Sequence, residues 1–177
     1  AATYYNMALE RSGKSPAFTD EDIQKFRDGS DPYGHPNTDW YDLAYKTGFQ
    51  HRQNVNVTGG NDFAKYMASA GYLKQSSILP NAGREQFNAR TNIDMNVSKS
   101  VTAHINLSYI HNNYTDPSSA YYGGSSDQII RLLNRIAPWV SNKNEDGTYG
   151  TISDGNPMAW LDSGMKVKRN NQNFSGL

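Results

Sequence analysis

The chain has 177 residues and no cysteine. A disulfide framework, thiol catalysis and cysteine metal sites are therefore excluded. It has no surplus of either charge, with 17 Lys plus Arg against 17 Asp plus Glu. Nucleic acid is not an expected partner, since binding it takes extra cations to displace counterions. No run of apolar residues reaches the length of a transmembrane helix. The opening Ala1-Ala2-Thr3-Tyr4-Tyr5 lacks the basic region and apolar core of a signal peptide. Either processing has removed a leader or the chain is an internal piece of something longer. Mean hydropathy is −0.79. That value reads as soluble for helical proteins, but a membrane barrel touches lipid with alternate strand residues only and evades the test.

What the sequence does have is alternation and tyrosine. In 84–97, Phe87, Ala89, Ile93, Met95 and Val97 fall on one face of a strand, with Thr91 the polar member. Gln86, Asn88, Arg90, Asn92, Asp94 and Asn96 fall on the other. The pattern repeats in 101–109, with Val101, Ala103, Ile105, Leu107 and Tyr109 opposing Thr102, His104, Asn106 and Ser108. A period of two means strands with one apolar and one hydrated face. A soluble sandwich tolerates so polar a second face, whereas a water-filled barrel requires it. The 12 Tyr, 6 Phe and 3 Trp suit membrane-interface girdles and sugar-binding surfaces alike.

Further strands are expected at 50–58 and 64–74, with Val55 and Val57 facing one way and Tyr66, Ala68, Ala70 and Tyr72 sharing an uncharged face. Gly59-Gly60-Asn61-Asp62 is a tight turn and Ser98-Lys99-Ser100 another. The spacing predicts a loop-like region at 1–49 with short helices: one over 1–11 with Tyr4, Met7 and Ala8 on one side, one capped by Thr19, and one capped at Asn37-Thr38-Asp39. Four antiparallel strands fill 50–114. A long insertion occupies 115–166, with a helix near 126–137 striped by Ile129, Ile130, Leu133 and Ile136 and ended by Pro138. Ser153-Asp154-Gly155-Asn156-Pro157 reads as a turn, and 167–177 begins a further strand. Short and long connections alternate, as in outer-membrane barrels. A compact soluble domain seldom carries so long an insertion.

Four segments occur in a set order: Asn37-Thr38-Asp39-Trp40, Asn54-Val55-Asn56-Val57-Thr58-Gly59-Gly60, Tyr66-Met67-Ala68-Ser69-Ala70-Gly71-Tyr72, and Arg84 through Asp94. Together they resemble the SusC/RagA family of TonB-dependent outer-membrane transporters. Weaker matches follow at Asp146-Gly147-Thr148-Tyr149 and Asn156-Pro157. The resemblance implies an all-β fold: a large antiparallel transmembrane β-barrel of 22 strands, of which about five lie here, with long and partly helical extracellular loops. It implies a bacterial outer-membrane location. It also implies a plug domain outside this chain, energy from the TonB complex, a SusD-like surface lipoprotein as lid, and an oligosaccharide or peptide as cargo. The chain is then a fragment that completes its wall with the rest of the same barrel. Asn88, Arg90, Asn92, Asp94, His104 and Asn106 are expected to face the lumen. Phe87, Ala89, Ile93, Met95, Ala103, Ile105 and Leu107 are expected to face lipid.

No catalytic residue is expected. No Ser/His/Asp set or paired carboxylate can be assembled, and import changes no covalent bond. No cofactor or metal is expected either. Asn142, Asn144, Asp146 and Gly147 have calcium-loop spacing, but Ser153 stands where a bidentate Glu belongs, so a plain turn is the reading. His104 and His111 are an odd number of residues apart, hence on opposite strand faces, and His104 is expected to bond water. Tyr121, Tyr122, Trp139 and Trp160 on the insertion are candidates for stacking on sugar faces. The same four residues also suit the internal core that a loop this long needs. The rival to import is a soluble glycan-binding β-sandwich with the same alternation turned inward.

Overall fold

The computed structural model describes residues 1–118, 126–153 and 155–176. It divides into two compact units, 46–117 with 166–177, and 1–45 with 118–165. The first is a sheet of β1 (Gln50–Gly60), β2 (Ala64–Ser76), β3 (Gly83–Ser98), β4 (Val101–Pro117) and β5 (Lys166–Gly176). The second holds α1 (Ala2–Arg11), α2 (Asp20–Asp28), α3 (Trp40–Ala44), α4 (Ser126–Arg135) and α5 (Pro157–Asp162). No described helix is long and apolar enough to cross a membrane, which says nothing of crossing by strands.

The sheet is a plain antiparallel meander in the order β1-β2-β3-β4-β5. Turn chemistry fixes its register. Asn61 Oδ1 accepts from the backbone N–H groups of Phe63 and Ala64, both at 2.9 Å, and reverses the chain between β1 and β2. Between β2 and β3, Asn81 takes the left-handed conformation at φ 60°. Asparagine tolerates that region better than most residues. The β3–β4 hairpin turns on Lys99-Ser100, with a register shift between Asn96 and Ser98. The shift leaves Val97 as a bulge.

Pairing places the alternating residues of all five strands on common faces. Ile93 stands opposite Tyr66 and Ile105, Ala89 opposite Ala70 and Tyr109, and Tyr109 opposite Phe174. This apolar face is open. Val55 is 65 % exposed, Phe174 69 % and Phe87 45 %. The other face carries Asn54, Asn88, Asn106, Asn112, Asn171 and Asn173 among its members.

The helical unit has the buried core that the sheet lacks. Trp40, Ala44, Ile129, Leu132, Leu133, Ile136, Met158 and Leu161 form it, and α5 packs on both α3 and α4. The helices are too short to persist on propensity alone, and side chains cap α2, α3 and α5. Thr19 and Asp22 make a reciprocal capping box on α2, which stops at Gly29 in the left-handed region. Asp39 caps α3 through Tyr41 and Asp42. Long-range bonds join the two chain segments: Trp40 Nε1 donates to Ala137 O at 3.1 Å and Thr38 Oγ1 to Val140 O at 2.8 Å.

The faces of these helices follow from their partners. On α1 the side facing the unit is that of Ala2 and Asn6, while Tyr4 is 77 % exposed. The reason is polar: buried Asn6 donates to Phe18 O at 2.6 Å and accepts from the N–H groups of Ala17 and Phe18. On α4, Leu132 takes the buried place expected of Ile130, which is 36 % exposed. The predicted turn at 153–157 is met in part, Gly155 N–H donating to Ile152 O at 2.8 Å, and its last two residues start α5. Asn156 is its N-cap, accepting from Met158 and Ala159, and Pro157 opens the first turn.

Asn156 also donates to Asn142 O and Gly150 O from a buried position. Asn156→Ala removes the cap and strands both carbonyls. The expected cost to the helical unit is about 2–3 kcal/mol. Faster cleavage within 142–162 under urea, measured by limited proteolysis of the full protein, checks it.

Candidate functional site

Two regions collect chemistry. The first is the polar face of the sheet. Asn88, Arg90, Asn92 and Asp94 alternate along β3, and His104 and Asn106 follow the same face of β4. Asn92 pairs in register with Asn106, and Asp94 with His104. His104 Nδ1 lies 2.7 Å from Asp94 Oδ1, so its partner is a carboxylate where water was expected. His111 lies on the opposite face, with Nε2 3.0 Å from Asn113 Oδ1. Ser108 Oγ and Ser175 Oγ sit 2.7 Å apart across β4 and β5. A shallow depression on this face is lined by Asn88, Arg90, Asn106, Ser108 and Ser175. Gly71 adds no side chain beside it; a β-carbon there would run into the side-chain oxygens of Asn54 and Asn88.

Phe87, Ala89, Ile93, Met95, Ala103, Ile105 and Leu107 occupy the opposite face together. Ile93 pairs with Ile105, Met95 with Ala103, and Leu107 with Thr91.

The second region is an aromatic chain in the helical unit. Trp139 packs on Tyr5 at 5.5 Å and on Phe18 at 5.4 Å between ring centroids. Phe18 continues to Phe26 at 5.4 Å, and Phe26 to His35 at 5.1 Å. Beside it lies a cleft of about 230 Å³ lined in part by Ile23, Phe26, Arg27, Pro36, Pro138 and Trp139. Trp160 is half-buried on α5, its ring above Gly155. Both tryptophans make packing contacts, and Trp139 also borders the cleft. Tyr121 and Tyr122 lie outside the described residues.

His35 is a site residue that sequence reasoning missed. Its Nδ1 lies 2.7 Å from Asp31 Oδ2 and its Nε2 3.0 Å from Asp22 Oδ1. Its side chain is 21 % exposed. Two carboxylates on two ring nitrogens call for two N–H donors, the imidazolium form. Hydrogen bonds to Asp31 and then Asp22 raise the His35 pKa. The Thr19 backbone N–H, the Thr19 hydroxyl and then His35 lower Asp22 to about 2. His35 and the Gly34 N–H lower Asp31. The spacing of Asp31 and His35 is visible in sequence, but Asp22 arrives from α2 through the fold.

No family model matches the chain. Among curated proteins it is similar to TonB-dependent receptor P3 of Formosa agariphila, 31 % identical over 127 residues, 71 % of this chain and 13 % of that protein. It is also similar to TonB-dependent receptor P26 of the same bacterium, 27 % identical over 154 residues, 83 % of this chain and 14 % of that protein. The chain therefore spans about one seventh of the length of these relatives. Both relatives are TonB-dependent receptors, a class of transport proteins. With the five-stranded antiparallel sheet, the fold class is all-β, a stretch of β-barrel wall, and the location is the bacterial outer membrane.

The His35 clasp makes a pH prediction. A folded-state pKa above the unfolded one means the contribution is complete below the ordinary histidine range. It is lost as pH rises through the raised folded value. Protection of 19–36 against proteolysis should thus hold at mildly acidic pH and fall on the alkaline side. His35→Gln should flatten that profile.

Proposed function

We propose that the chain forms part of the wall and loops of an outer-membrane importer of the SusC/RagA type. In this reading 1–49 and 115–166 are extracellular and the turns at 61–63 and 99–100 are periplasmic. A plug beyond this chain closes the lumen, the TonB complex drives the plug, and a SusD-like lipoprotein covers the mouth. The cargo is an oligosaccharide or a peptide. Asn88, Arg90, Asn92, Asp94, His104 and Asn106 line the water path. Phe87, Ala89, Ile93, Met95, Ala103, Ile105 and Leu107 meet lipid.

One observation carries the reading: a continuous apolar face across five hydrogen-bonded strands, left open. The described strands form a single sheet. A sandwich needs a second sheet on that face, so the soluble alternative finds no support. The dimensions agree as well. From Phe87 to Val97 is roughly 33 Å of strand at about 3.3 Å per residue. A tilt of about 40° projects that to roughly 25 Å, the height of the apolar band of an outer-membrane barrel. Aromatics gather at its two limits. Tyr72, Phe87, Tyr109 and Phe174 lie in neighbouring rows at one end, and Phe63 and Tyr66 lie near the other. Such girdles mark the interfaces with water. Just past the first girdle the same face turns polar, with Lys74 and Glu85 paired at 3.2 Å.

The reading predicts unequal tolerance at adjacent positions. Leu107→Arg should cost about 2–4 kcal/mol near mid-bilayer, and Asn106→Arg far less. Barrel insertion of the full-length receptor, followed by heat-modifiable migration, measures both. Equal tolerance would remove the membrane reading.

A further inference from the structure

The polar face of the sheet has a charge imbalance that the neutral chain does not. Its cations are Arg52, Lys65, Arg84, Arg90 and Arg169. Its carboxylates are Asp94 and Asp116. Asp116 is engaged by Arg169. Asp94 sits on His104 and stands opposite Lys65 in register. Arg52, Arg84 and Arg90 thus face no carboxylate among the described residues.

Neutral groups hold these three arginines in place. Arg84 Nη2 donates to Gln86 Oε1 and to Asn112 Oδ1, both at 2.8 Å, and its guanidinium lies 5.3 Å from the Tyr114 ring centre. Arg90 Nε donates to Asn92 Oδ1 at 3.3 Å. Arg52 Nε lies 3.3 Å from the Asn54 side-chain amide. An amide acceptor orients a guanidinium without cancelling its charge, as a carboxylate would. The remaining donors stay directed at whatever occupies the space above the sheet.

Around them the face is mostly amides and hydroxyls, with Met67, Leu73, Ile110 and Val167 as its apolar members. Such groups donate and accept together, as sugar hydroxyls do. A fixed guanidinium matches a carboxylate or sulfate with two parallel hydrogen bonds. An acidic peptide would satisfy the arginines but offers one backbone donor and one acceptor per residue, where a sugar ring offers several hydroxyls that do both. We propose that this face guides an anionic oligosaccharide, one bearing carboxylate or sulfate groups, along the lumen. The inference rests on the import reading, because it needs this face to line the water path.

The test uses the full-length receptor, purified in detergent after its outer-membrane insertion has been verified. Binding is measured for neutral cello- and malto-oligosaccharides, for oligogalacturonates, and for sulfated carrageenan oligosaccharides. The expected ligands are charged, and the carboxylated and sulfated arms separate the two anion types. Binding should weaken as ionic strength rises. Arg84→Gln and Arg90→Gln should each weaken the anionic ligand about tenfold, with Arg90→Lys recovering part of the loss and insertion unchanged. A neutral sugar bound best, no glycan bound at all, or no loss in either glutamine variant would overturn the inference. So would equal losses for charged and neutral ligands, which would mean that the arginines anchor another part of the receptor. A receptor that inserts yet prefers neutral sugars leaves the import reading standing; one that fails to insert removes both.

Discussion

Antiparallel pairing at a fixed register governs everything else in the sheet. Successive side chains of a strand point to opposite faces, and pairing aligns that alternation across neighbours. A slip by one residue in any pair would mix Asn88 and Asn106 with Ile93 and Ile105. The turns guard against it. Asn61 binds two backbone N–H groups at the β1–β2 reversal, and Asn81 supplies the left-handed residue between β2 and β3. At the β3–β4 hairpin the register shift absorbs one residue close to the turn, so the rest of the ladder stays in phase. Five strands then present two faces of opposite character, one apolar and one polar.

The helical unit follows a different logic. Its helices are short, and its apolar core is correspondingly small. Two buried asparagines make up for this by tying backbone to backbone. Asn6 binds both polarities of the 17–18 turn, and Asn156 joins the start of α5 to the 142 and 150 carbonyls. Each replaces several water contacts with protein contacts at once, which is what allows an amide to be buried without loss. His35 does the same work with charge, joining α2 to the 31–35 turn through Asp22 and Asp31.

Strand content was legible in the sequence because alternation is a strong and local signal. The two residue sets on β3 and β4 emerge on opposite faces for that reason. Helix faces were harder. Tyr4, Met7 and Ala8 share one side of α1, but the inward side is that of Asn6, whose partners lie at 17 and 18. No periodicity reports a hydrogen bond to a distant turn. Leu132 and Ile130 lie two positions apart on α4, and which one is covered depends on the elements packed against the helix. α5 was missed because Asn-Pro reads as a turn signal, although the same pair is also a cap and first residue. The Asp22–His35–Asp31 cluster could be seen only in part, since one of its members comes from a separate element. Of the loop aromatics proposed to stack on sugar, Trp139 borders a cleft and Trp160 lies over Gly155.

The bonds from Thr38 to Val140 and from Trp40 to Ala137 join residues 102 and 97 positions apart. Between them the chain runs through four complete strands. The first forty-odd residues consequently meet their partners at 137–140 only after β4 has been laid down and its outgoing segment delivered. Contacts of such high sequence separation come late and slowly in folding. A maturing polypeptide therefore has its first four strands in hand before the helical core can close.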